Sequence, residues 1–496
     1  MYAKIFPPLS LIIYLLILAC SQIPDYSELS NETISGSIII NGGEFYTQSA
    51  SVVLSMDVPG ADEMRFSNDN LNWSEWEEYD ENKNWVIDST HGVKTIYGNF
   101  RKSGNDAGVF TDTIIPLFQN KKIASDGIAN ANFGGGNWSF TTANIVISED
   151  GHTVIAGAPS SNNAVYVYRK SGNIWQETKI NCPDGTGKSF GNSIACTPDA
   201  AVLIIGALSK PGFYLYEFDP DTFSYIHKNT IDSPNTPQTN DFAVSLSISN
   251  DGNKIAVGSW HHPSGIQTGA VYLYERNKVN WPANYEKKFT ETELIINDYY
   301  GVGVKLSGDG NTLAVGATGQ GGNKGAVYIY RNGGSEWVLI NKFSGTSDYL
   351  LGKHIGMSYN GNRIIASERA WTHGNTDQGA AHIYDWNGNQ YIETKILHAS
   401  DGSENDRFGY CVAMSADGNT IAVSAPSVQT GIGSAYVYRF TGNDWHEEYK
   451  LISSDGAAGD FYGNMIAISG DASIIAVGAP LDDETYSDQG SVYFYN

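Results

Sequence analysis

The stretch that decides the fold is SADGNTIAVSAP, residues 415–426. Nearly the same phrase occurs as SEDGHTVIAGAP at 148–159 and as SGDGNTLAVGAT at 307–318. Seven copies can be aligned on the turn, with these anchor residues: Asp150, Asp199, Asp251, Asp309, Asn360, Asp417 and Asp471. Their mean spacing of about 53 residues is too long for common helical repeats and suits a small repeated sheet.

Each copy predicts four short antiparallel strands. An Asp-Gly turn such as Asp417-Gly418 joins the first two strands, because glycine accepts the positive φ of a tight hairpin. The second strand, as in 421–426, is apolar on both faces, which predicts burial on both. The third strand, as in 435–438, alternates with tyrosine, and the fourth, as in 444–451, is more polar. Four strands at this period indicate a β-propeller with seven blades.

The sizes of the side chains fit radial packing. The second strands are rich in Ala and Gly, and small residues let neighbouring blades approach each other close to the axis. The third strands carry Tyr in nearly every copy. Large rings can fill the wider gap farther from the axis, and each hydroxyl can still reach a partner.

The order aromatic-Gly, Gly-Ala-Pro and Gly-x-Val-Tyr-x-Tyr resembles the FG-GAP repeat of integrin α-chain propellers and their bacterial relatives. The first element is matched at five places: Phe190-Gly191, Tyr300-Gly301, Leu351-Gly352, Phe408-Gly409 and Tyr462-Gly463. The second is matched in full at 157–159 and 478–480. Departures are Phe242-Ala243 and the segment Ser367-Glu368-Arg369. The resemblance begins at about residue 118 and implies a propeller domain over 117–496.

The last copy has no fourth strand after Tyr495. An incomplete blade leaves an exposed sheet edge, which invites aggregation. The segment 118–127 resembles the fourth-strand ends at 394–402 and 449–456. We therefore predict that residues 118–124 pair with the strand ending at Tyr495 and close the ring.

Residues 34–116 do not fit the repeat. Short strand patterns alternate there with Gly, Asn and Asp turns, which predicts a β-sandwich. The pattern MRFSND…NWSEWE…KT-Y-FR resembles the bacterial Ig-like module. In that module Trp and Tyr side chains usually belong to the core, which is the role expected of Trp73, Trp76 and Tyr79.

Residues 1–19 have the pattern of a targeting segment, with Lys4 before a short apolar run at 9–18. The run is too short for a comfortable membrane span. It ends at Cys20 in the sequence ILAC, which resembles the bacterial lipoprotein signal, in which the cysteine becomes the lipidated first residue. An ordinary secretory signal is the alternative. Residues 20–33 are then a lipidated cysteine and a polar tether, which places the protein in the cell envelope, at the outer membrane or cell surface.

Charge limits the partners of the chain. Its 496 residues include 54 Asp plus Glu against 30 Lys plus Arg, a net charge of −24. Because this field repels phosphate, neither nucleic acid nor anionic lipid is an expected partner, and membrane contact is expected through the lipid anchor only. Residues 185–189 (GTGKS) imitate the end of a P-loop without its first glycine.

The other three cysteines are Cys182, Cys196 and Cys411. An odd number at irregular spacing does not form a disulfide framework, so small buried thiols are favoured. A bridge between Cys182 and Cys196 is the alternative.

Candidate binding residues come from the loops between second and third strands, which share a face with the connections between blades. Exposed aromatic, imidazole and carboxylate groups suit recognition of a sugar or a protein. The candidates are Trp260, His261, His262, Trp371, His373, Asp482, Asp483 and Glu484. Irregular loop filling is the alternative interpretation of these residues.

Metal and cofactor chemistry is not expected. A metal held by His261, His262 and His373 is the alternative hypothesis. The Ser-x-Asp-Gly-Asn turns, as at 249–253, lack the alternating oxygen ligands that calcium needs. The sequence therefore predicts no metal site and no cofactor.

The sequence thus predicts an all-β chain, an Ig-like β-sandwich followed by a seven-bladed β-propeller closed by an N-terminal strand. No catalytic motif is recognisable. The expected function is non-catalytic: a monomeric envelope lipoprotein whose propeller loops bind or adhere to an extracellular protein or glycan. Two alternatives stay open. One is a carbohydrate-active propeller enzyme, a glycan hydrolase or lyase that uses loop carboxylates, and the other is a structural component of an envelope assembly.

Overall fold

The computed structural model describes these residues: 36–43, 46–47, 49–87, 94–117, 119–135, 144–172, 174–209, 212–234, 242–260, 268–276, 281–282, 284–334, 336–345, 350–370 and 377–496. The targeting segment, Cys20 and the tether lie outside them. The described residues divide into two compact units: residues 36–43, 51–87 and 94–114 form the first, and the other described residues form the second. Within the described ranges, no helix has the length and hydrophobicity needed to cross a membrane.

The N-terminal segment is built from short strands. They are β1 (Ser37–Ile40), β2 (Tyr46–Thr47), β3 (Ser51–Asp57), β4 (Glu63–Ser67), β5 (Glu77–Glu78), β6 (Asn82–Val86), β7 (Lys94–Lys102) and β8 (Asn105–Pro116), with a 3-10 turn at Asn41–Gly43. One sheet has the order β1-β3-β6 and the other β2-β8-β7-β4-β5, in which only the β2–β8 pair is parallel. Every second residue of β3 is buried, and these side chains join residues of β4 and β7 in one core. Two sheets that share a core form a β-sandwich.

The aromatic residues of this segment divide between core and surface. Tyr79 packs against the core, as expected. The expectation that Trp73 and Trp76 are core residues is wrong. The Arg65 guanidinium carbon lies 4.9 Å from the Trp73 ring centroid and 4.5 Å from that of Trp76. Arg101 stacks on Trp76 at 3.6 Å, so cation–π contacts outside the core hold these rings.

The second unit consists of small sheets. Its further strands are β9 (Gln119–Lys122), β10 (Ile145–Ile147), β11 (Thr153–Ala158), β12 (Ala164–Ser171), β13 (Ile174–Asn181), β14 (Phe190–Cys196), β15 (Val202–Ala207), β16 (Gly212–Asp219), β17 (Ser224–Asp232), β18 (Phe242–Ile248), β19 (Lys254–Ser259), β20 (Ala270–Glu275), β21 (Lys287–Phe289), β22 (Tyr300–Leu306), β23 (Thr312–Ala317), β24 (Ala326–Asn332), β25 (Trp337–Ser344), β26 (Ile355–Met357), β27 (Arg363–Glu368), β28 (Ala380–Trp386), β29 (Tyr391–Leu397), β30 (Val412–Met414), β31 (Thr420–Ala425), β32 (Ser434–Thr441), β33 (Asp444–Leu451), β34 (Met465–Ile468), β35 (Ile475–Ala479) and β36 (Ser491–Tyr495). Two four-residue helical turns, Gln320–Asn323 and Val428–Gly431, follow β23 and β31.

The described strands of this unit form seven four-stranded antiparallel sheets. They are sheet 1 (β10–β13), sheet 2 (β14–β17), sheet 3 (β18–β21), sheet 4 (β22–β25), sheet 5 (β26–β29), sheet 6 (β30–β33) and sheet 7 (β34, β35, β36 and β9). The first strands of all seven line one common cavity, so the sheets surround a shared axis.

The predicted closure of the last sheet is confirmed. β9 pairs antiparallel with β36, with Lys122 opposite Val492 and Gln119 opposite Tyr495. The Lys121 ammonium lies 2.6 Å from a carboxylate oxygen of Asp455 in the connection that leaves sheet 6. Hydrogen bonds and an ion pair therefore bind β9 to both sheet 7 and its neighbour.

Neighbouring sheets meet through glycine. A Cβ atom at Gly316 of β23 would overlap the carbonyl oxygen of Gly352, which opens sheet 5. The same overlap recurs in other pairs of sheets: Gly157 with Gly191, Gly258 with Gly301, and Gly478 with Gly134. The repeat thus places glycine where one backbone touches the next. Phe133-Gly134 is the aromatic-Gly pair of sheet 1, which the sequence alignment missed, and its contact with Gly478 brings the last sheet against the first.

A second device joins neighbouring sheets farther from the axis. The Tyr436 hydroxyl donates to Asp401 at 2.8 Å, and Lys450 lies 2.7 Å from the same carboxylate. Asp401 follows sheet 5, whereas both its partners belong to sheet 6. We call this arrangement the inter-sheet clamp. It recurs with these residues: Asp126, Tyr166 and Lys179; Glu293, Tyr328 and Lys342; Asp455, Tyr493 and Lys121.

Sheet 5 departs from the clamp. His382 stands where the other sheets carry the first Tyr of the third strand, and Glu368 stands where they carry Ala or Ser. Both are buried, and the His382 Nε2 lies 2.6 Å from a Glu368 oxygen while Nδ1 lies 2.6 Å from Glu393. The departure at 367–369 is therefore a buried imidazole–carboxylate pair.

This pair makes stability depend on pH. Burial alone would lower the pKa of His382, but its hydrogen bonds to Glu368 and Glu393 outweigh burial and raise the pKa from 6.5 to about 9. The stabilisation is complete below pH 6.5 and is lost as the pH rises through 9. We expect His382→Gln to cost on the order of 3 kcal/mol more at pH 6 than at pH 10. Urea unfolding at both pH values measures this, and parallel pH profiles for the two proteins would contradict it.

The described cysteines are free thiols. Cys182 and Cys411 are buried, as the sequence favoured. The alternative of a Cys182–Cys196 bridge is wrong, because both sulfurs are unbridged.

Candidate functional site

The candidate site is a cleft on the face where the loops between second and third strands meet the connections between sheets. It has a volume of about 490 Å³ and lies between the connection 401–406 and the helical turn after β31. Its lining residues are Asp401, Ser403, Glu404, Asn405, Asp406, Ser427, Val428, Gln429, Thr430 and Lys450. Nearly all of them are polar, so the cleft offers many hydrogen-bond donors and acceptors.

The inter-sheet clamp fixes one wall of this cleft. Tyr436 and Lys450 hold the Asp401 carboxylate from the side of sheet 6. Burial by itself raises the pKa of Asp401, but these two hydrogen bonds outweigh it and hold the pKa below its ordinary value. Asp401 therefore presents a charged, oriented acceptor at neutral pH.

A second carboxylate of the cleft has the opposite shift. Burial raises the pKa of Asp406, which accepts a hydrogen bond from the Ser403 backbone N–H at 2.7 Å. Two carboxyls with opposite shifts are a pattern of acid–base catalysis. However, Asp298 and Asp460 accept the same backbone bond in other connections, and burial raises their pKa too. The raised pKa of Asp406 is therefore a feature of the repeated turn.

The other wall of the cleft has an unusual backbone. Gln429 and Thr430 have φ values of 50° and 60°, in the left-handed region that most side chains avoid. The equivalent turn after β23 has Gly321 and Gly322 at these two positions, with φ values of 67° and 77°. Sheet 6 thus places two exposed polar side chains where glycine would be less strained, and both face the cleft. Left-handed backbone also occurs at non-glycine residues of other turns, such as Phe223, so this pair is singled out by having both side chains exposed in the cleft.

Trp260 corrects the expectation of an exposed ring. It follows β19 directly and is only 7 % exposed. Its ring centroid lies 5.2 Å from that of Tyr299, and it packs with Val244 and Val302. The ring fills the space between sheets 3 and 4, and its role as a ligand contact stays an untested prediction.

Acidic residues that follow β35 contact β9, the strand that completes sheet 7. Asp482 is buried and lies 2.7 Å from the Lys121 ammonium, and Glu484 forms an ion pair with the same group. Asp483 is exposed and accepts the backbone N–H of Asp488 at 2.7 Å. Asp482 and Glu484 are therefore paired with Lys121 and Asp483 with the backbone, and a ligand role for the three carboxylates stays a prediction.

The remaining candidates, His261, His262, Trp371 and His373, lie outside the described residues. Across the described part of the chain, no group of three or more His, Cys, Asp or Glu side chains is arranged to hold a metal ion. The Ser-x-Asp-Gly-Asn turns use their oxygens internally, since Asp251 accepts from Ser249 at 2.5 Å and from the Asn253 backbone at 3.0 Å.

The cleft itself was not found from the sequence. Gln429 and Thr430 carry no motif, and the acidic residues of 401–406 look like any polar connection. One signal was present: an alignment of the loops places Gln-Thr opposite Gly-Gly at 321–322.

Comparison with known proteins supports the class of fold. The FG-GAP repeat family model matches residues 391–438 and 445–495. A chain in the crystal structure of the mitotic checkpoint complex is similar with 13% identity and a TM-score of 0.50, over 76% of this chain and 90% of that chain. Hydrazine synthase from Kuenenia stuttgartiensis is similar with 13% identity and a TM-score of 0.50, over 75% of this chain and 98% of that chain. Among curated proteins, no sequence matches the chain.

These likenesses concern the fold alone, because both identities are low. Together with the repeated four-stranded sheets, they fit a β-propeller fold for the second unit, in which residues 391–438 and 445–495 match the FG-GAP repeat.

Proposed function

We propose that the chain is a non-catalytic binding module of the bacterial envelope, and that the cleft beside Gln429 and Thr430 binds an extracellular glycan. In this proposal a lipid on Cys20 anchors an Ig-like sandwich and a seven-bladed propeller. The observation that carries the proposal is the pair of strained, exposed polar residues in a preformed cleft.

The chemistry of the cleft supports a saccharide over a protein. Each sugar hydroxyl both donates and accepts a hydrogen bond, and the cleft supplies carboxylate acceptors, amide groups and hydroxyls close together. Its volume of about 490 Å³ lies in the usual range of small-ligand sites. Protein interfaces depend more on aromatic anchors, and Val428 is the apolar residue among those that line the cleft.

The non-catalytic interpretation rests on the repeated turn. The pKa is raised in the same way at Asp406, Asp298 and Asp460. The shift is therefore a property of the repeated connection and does not identify Asp406 as a catalytic acid. A propeller hydrolase or lyase and a structural envelope component remain the competing functions.

The test replaces the strained pair by the residues of its sibling turn. In Q429G/T430G we expect glycan affinity to fall at least about tenfold, because the hydrogen-bonding side chains are gone. Stability should rise, since left-handed backbone costs roughly 1–2 kcal/mol for each non-glycine residue. An array of bacterial and host glycans, followed by calorimetry on the best hit, measures binding, and thermal melting measures stability.

Phe223→Gly is the matched control. Phe223 is exposed, has a φ of 54° and lies in the hairpin between β16 and β17, at the opposite end of its sheet. This variant relaxes the backbone but loses the ring contact of Phe223 with Phe218 at 5.6 Å, and it should keep full glycan affinity. Equal glycan affinity of Q429G/T430G and the unchanged protein would refute the cleft as the glycan-binding site. Cleavage of the bound glycan would establish the enzymatic alternative.

A further inference from the structure

The cavity on the shared axis differs in character from the rest of the molecule. It has a volume of about 200 Å³ and is lined by the first strands of all seven sheets. Its charged lining residues are Lys305 and Lys353, and no Asp or Glu is among the described residues that line it. The chain has a net charge of −24, so its composition predicts more carboxylates than lysines in such a lining.

Lys353 is the central observation. It lies just before β26, is 6 % exposed and is one of the residues that line the cavity. Its ammonium nitrogen lies 5.2 Å from the Tyr410 ring centroid, and the Arg369 guanidinium carbon lies 5.5 Å from the same centroid. Within the described part of the chain, no carboxylate forms an ion pair with Lys353 or Arg369. Two cations therefore share one aromatic ring without a counter-charge.

The thiols of the cavity do not supply the missing charge. Cys411 lies in the lining beside Lys353, and burial raises its pKa to about 11. Cys196 lies in the lining beside Lys305, and burial raises its pKa to about 12. Both thiols are neutral at physiological pH, so neither lysine is neutralised by its neighbour.

We propose that this axial cavity binds a small oxyanion of the phosphate or sulfate class, held by Lys353 with Arg369 close by and Lys305 farther along the axis. The two lysines stand three positions apart in the repeat, which separates them by about 10 Å along the strands. A buried unpaired ammonium is costly, and an oxyanion supplies the charge that compensates it. The cavity could hold several waters of roughly 30 Å³ each, so a small oxyanion fits.

Protonation follows from the same geometry. Burial, and then the charge of Arg369, lower the pKa of Lys353 to about 7, against a smaller opposing effect of Cys411. His354 is the neighbouring titratable residue of the lining, and its Nδ1 lies 3.5 Å from the Cys411 Sγ. Above pH 7 much of the population has a neutral amine. A bound oxyanion favours the ammonium form, so binding at pH 8 takes up a proton at Lys353.

The experiment compares melting of the full chain in sodium phosphate, sodium sulfate and sodium chloride at equal ionic strength and pH 7. The salts are used at low millimolar concentration, where general salting-out is small. Phosphate and sulfate should then raise the melting temperature by about 2 °C or more relative to chloride. Lys353→Met should melt no lower than the unchanged protein in chloride, because it removes a buried unpaired charge, and it should lose the oxyanion shift. Lys228→Met, which removes an exposed lysine near Glu217, should keep the shift.

Calorimetry with phosphate at pH 8, in two buffers of different ionisation enthalpy, measures proton uptake. The unchanged protein should take up protons on binding, and Lys353→Met should lose at least about tenfold in affinity together with the uptake. The proposal is overturned if all three salts act alike, if Lys353→Met keeps the oxyanion shift, or if phosphate binds without proton uptake. Because the cavity is separate from the loop-face cleft, glycan binding by Lys353→Met should be unchanged.

Discussion

Deleting residues 118–126 should lower the melting temperature by more than about 10 °C, or abolish cooperative melting. The deletion removes β9, the fourth strand of sheet 7, and leaves β36 as an exposed edge. It also removes Lys121, the partner of Asp455 and of the buried Asp482. Asp455, Asp482 and Glu484 then lose their counter-charge, and the last sheet loses its outer strand. Calorimetric melting of the two proteins measures the loss.

A point variant and a rescue separate the causes. Lys121→Met keeps the backbone pairing and should cost about 3 kcal/mol, the scale for leaving a buried charge without its partner. A synthetic peptide of residues 117–127, added to the deleted chain, should restore part of the melting temperature by strand addition. An unchanged melting curve after the deletion would show that β9 is not needed to complete sheet 7.

Gly316→Val should destabilise the propeller by more than about 4 kcal/mol, enough to prevent soluble expression. The new side chain would overlap the backbone carbonyl of Gly352, which belongs to the next sheet and cannot yield as a flexible side chain could. Relief requires that two sheets move apart, which would weaken every contact along their interface. Soluble yield and urea unfolding measure the effect.

Gly333→Ala is the control for this variant. Gly333 lies at the hairpin between β24 and β25 with no positive φ, and an added Cβ there meets no atom within 4 Å. We expect a change of less than about 0.5 kcal/mol. Equal stability of the Gly316 and Gly333 variants would show that the close approach of the sheets is not needed.

Most of the fold could be predicted from the periodicity of the sequence. The Asp-Gly turns, the small second strands and the Tyr-bearing third strands obey local rules of φ and of side-chain size, so a sequence can display them directly. The closure by 118–124 was also readable, because a fourth strand keeps its pattern even when the chain places it more than 350 residues away. Phe133-Gly134 was missed because it stands apart from β10, outside the spacing of the other copies.

The sites were harder to predict because exposure and pairing depend on distant parts of the chain. Trp260 sits in a loop by sequence, yet Tyr299 and its neighbours cover it. Asp482 resembles a surface acid until Lys121 is placed beside it. Lys353 follows an ordinary Leu-Gly start, and only the convergence of the first strands turns that position into a cavity wall.

The pairing of β9 with β36 has a consequence for biosynthesis. Gln119 and Tyr495 are 376 residues apart, so at about 5–20 residues per second the early strand waits roughly 20–75 s for its partner to leave the ribosome. During that interval six sheets can assemble, while the outermost edge of the unfinished seventh has nothing to bind. Chaperone protection is therefore most valuable late in translation, just before the final hairpin emerges.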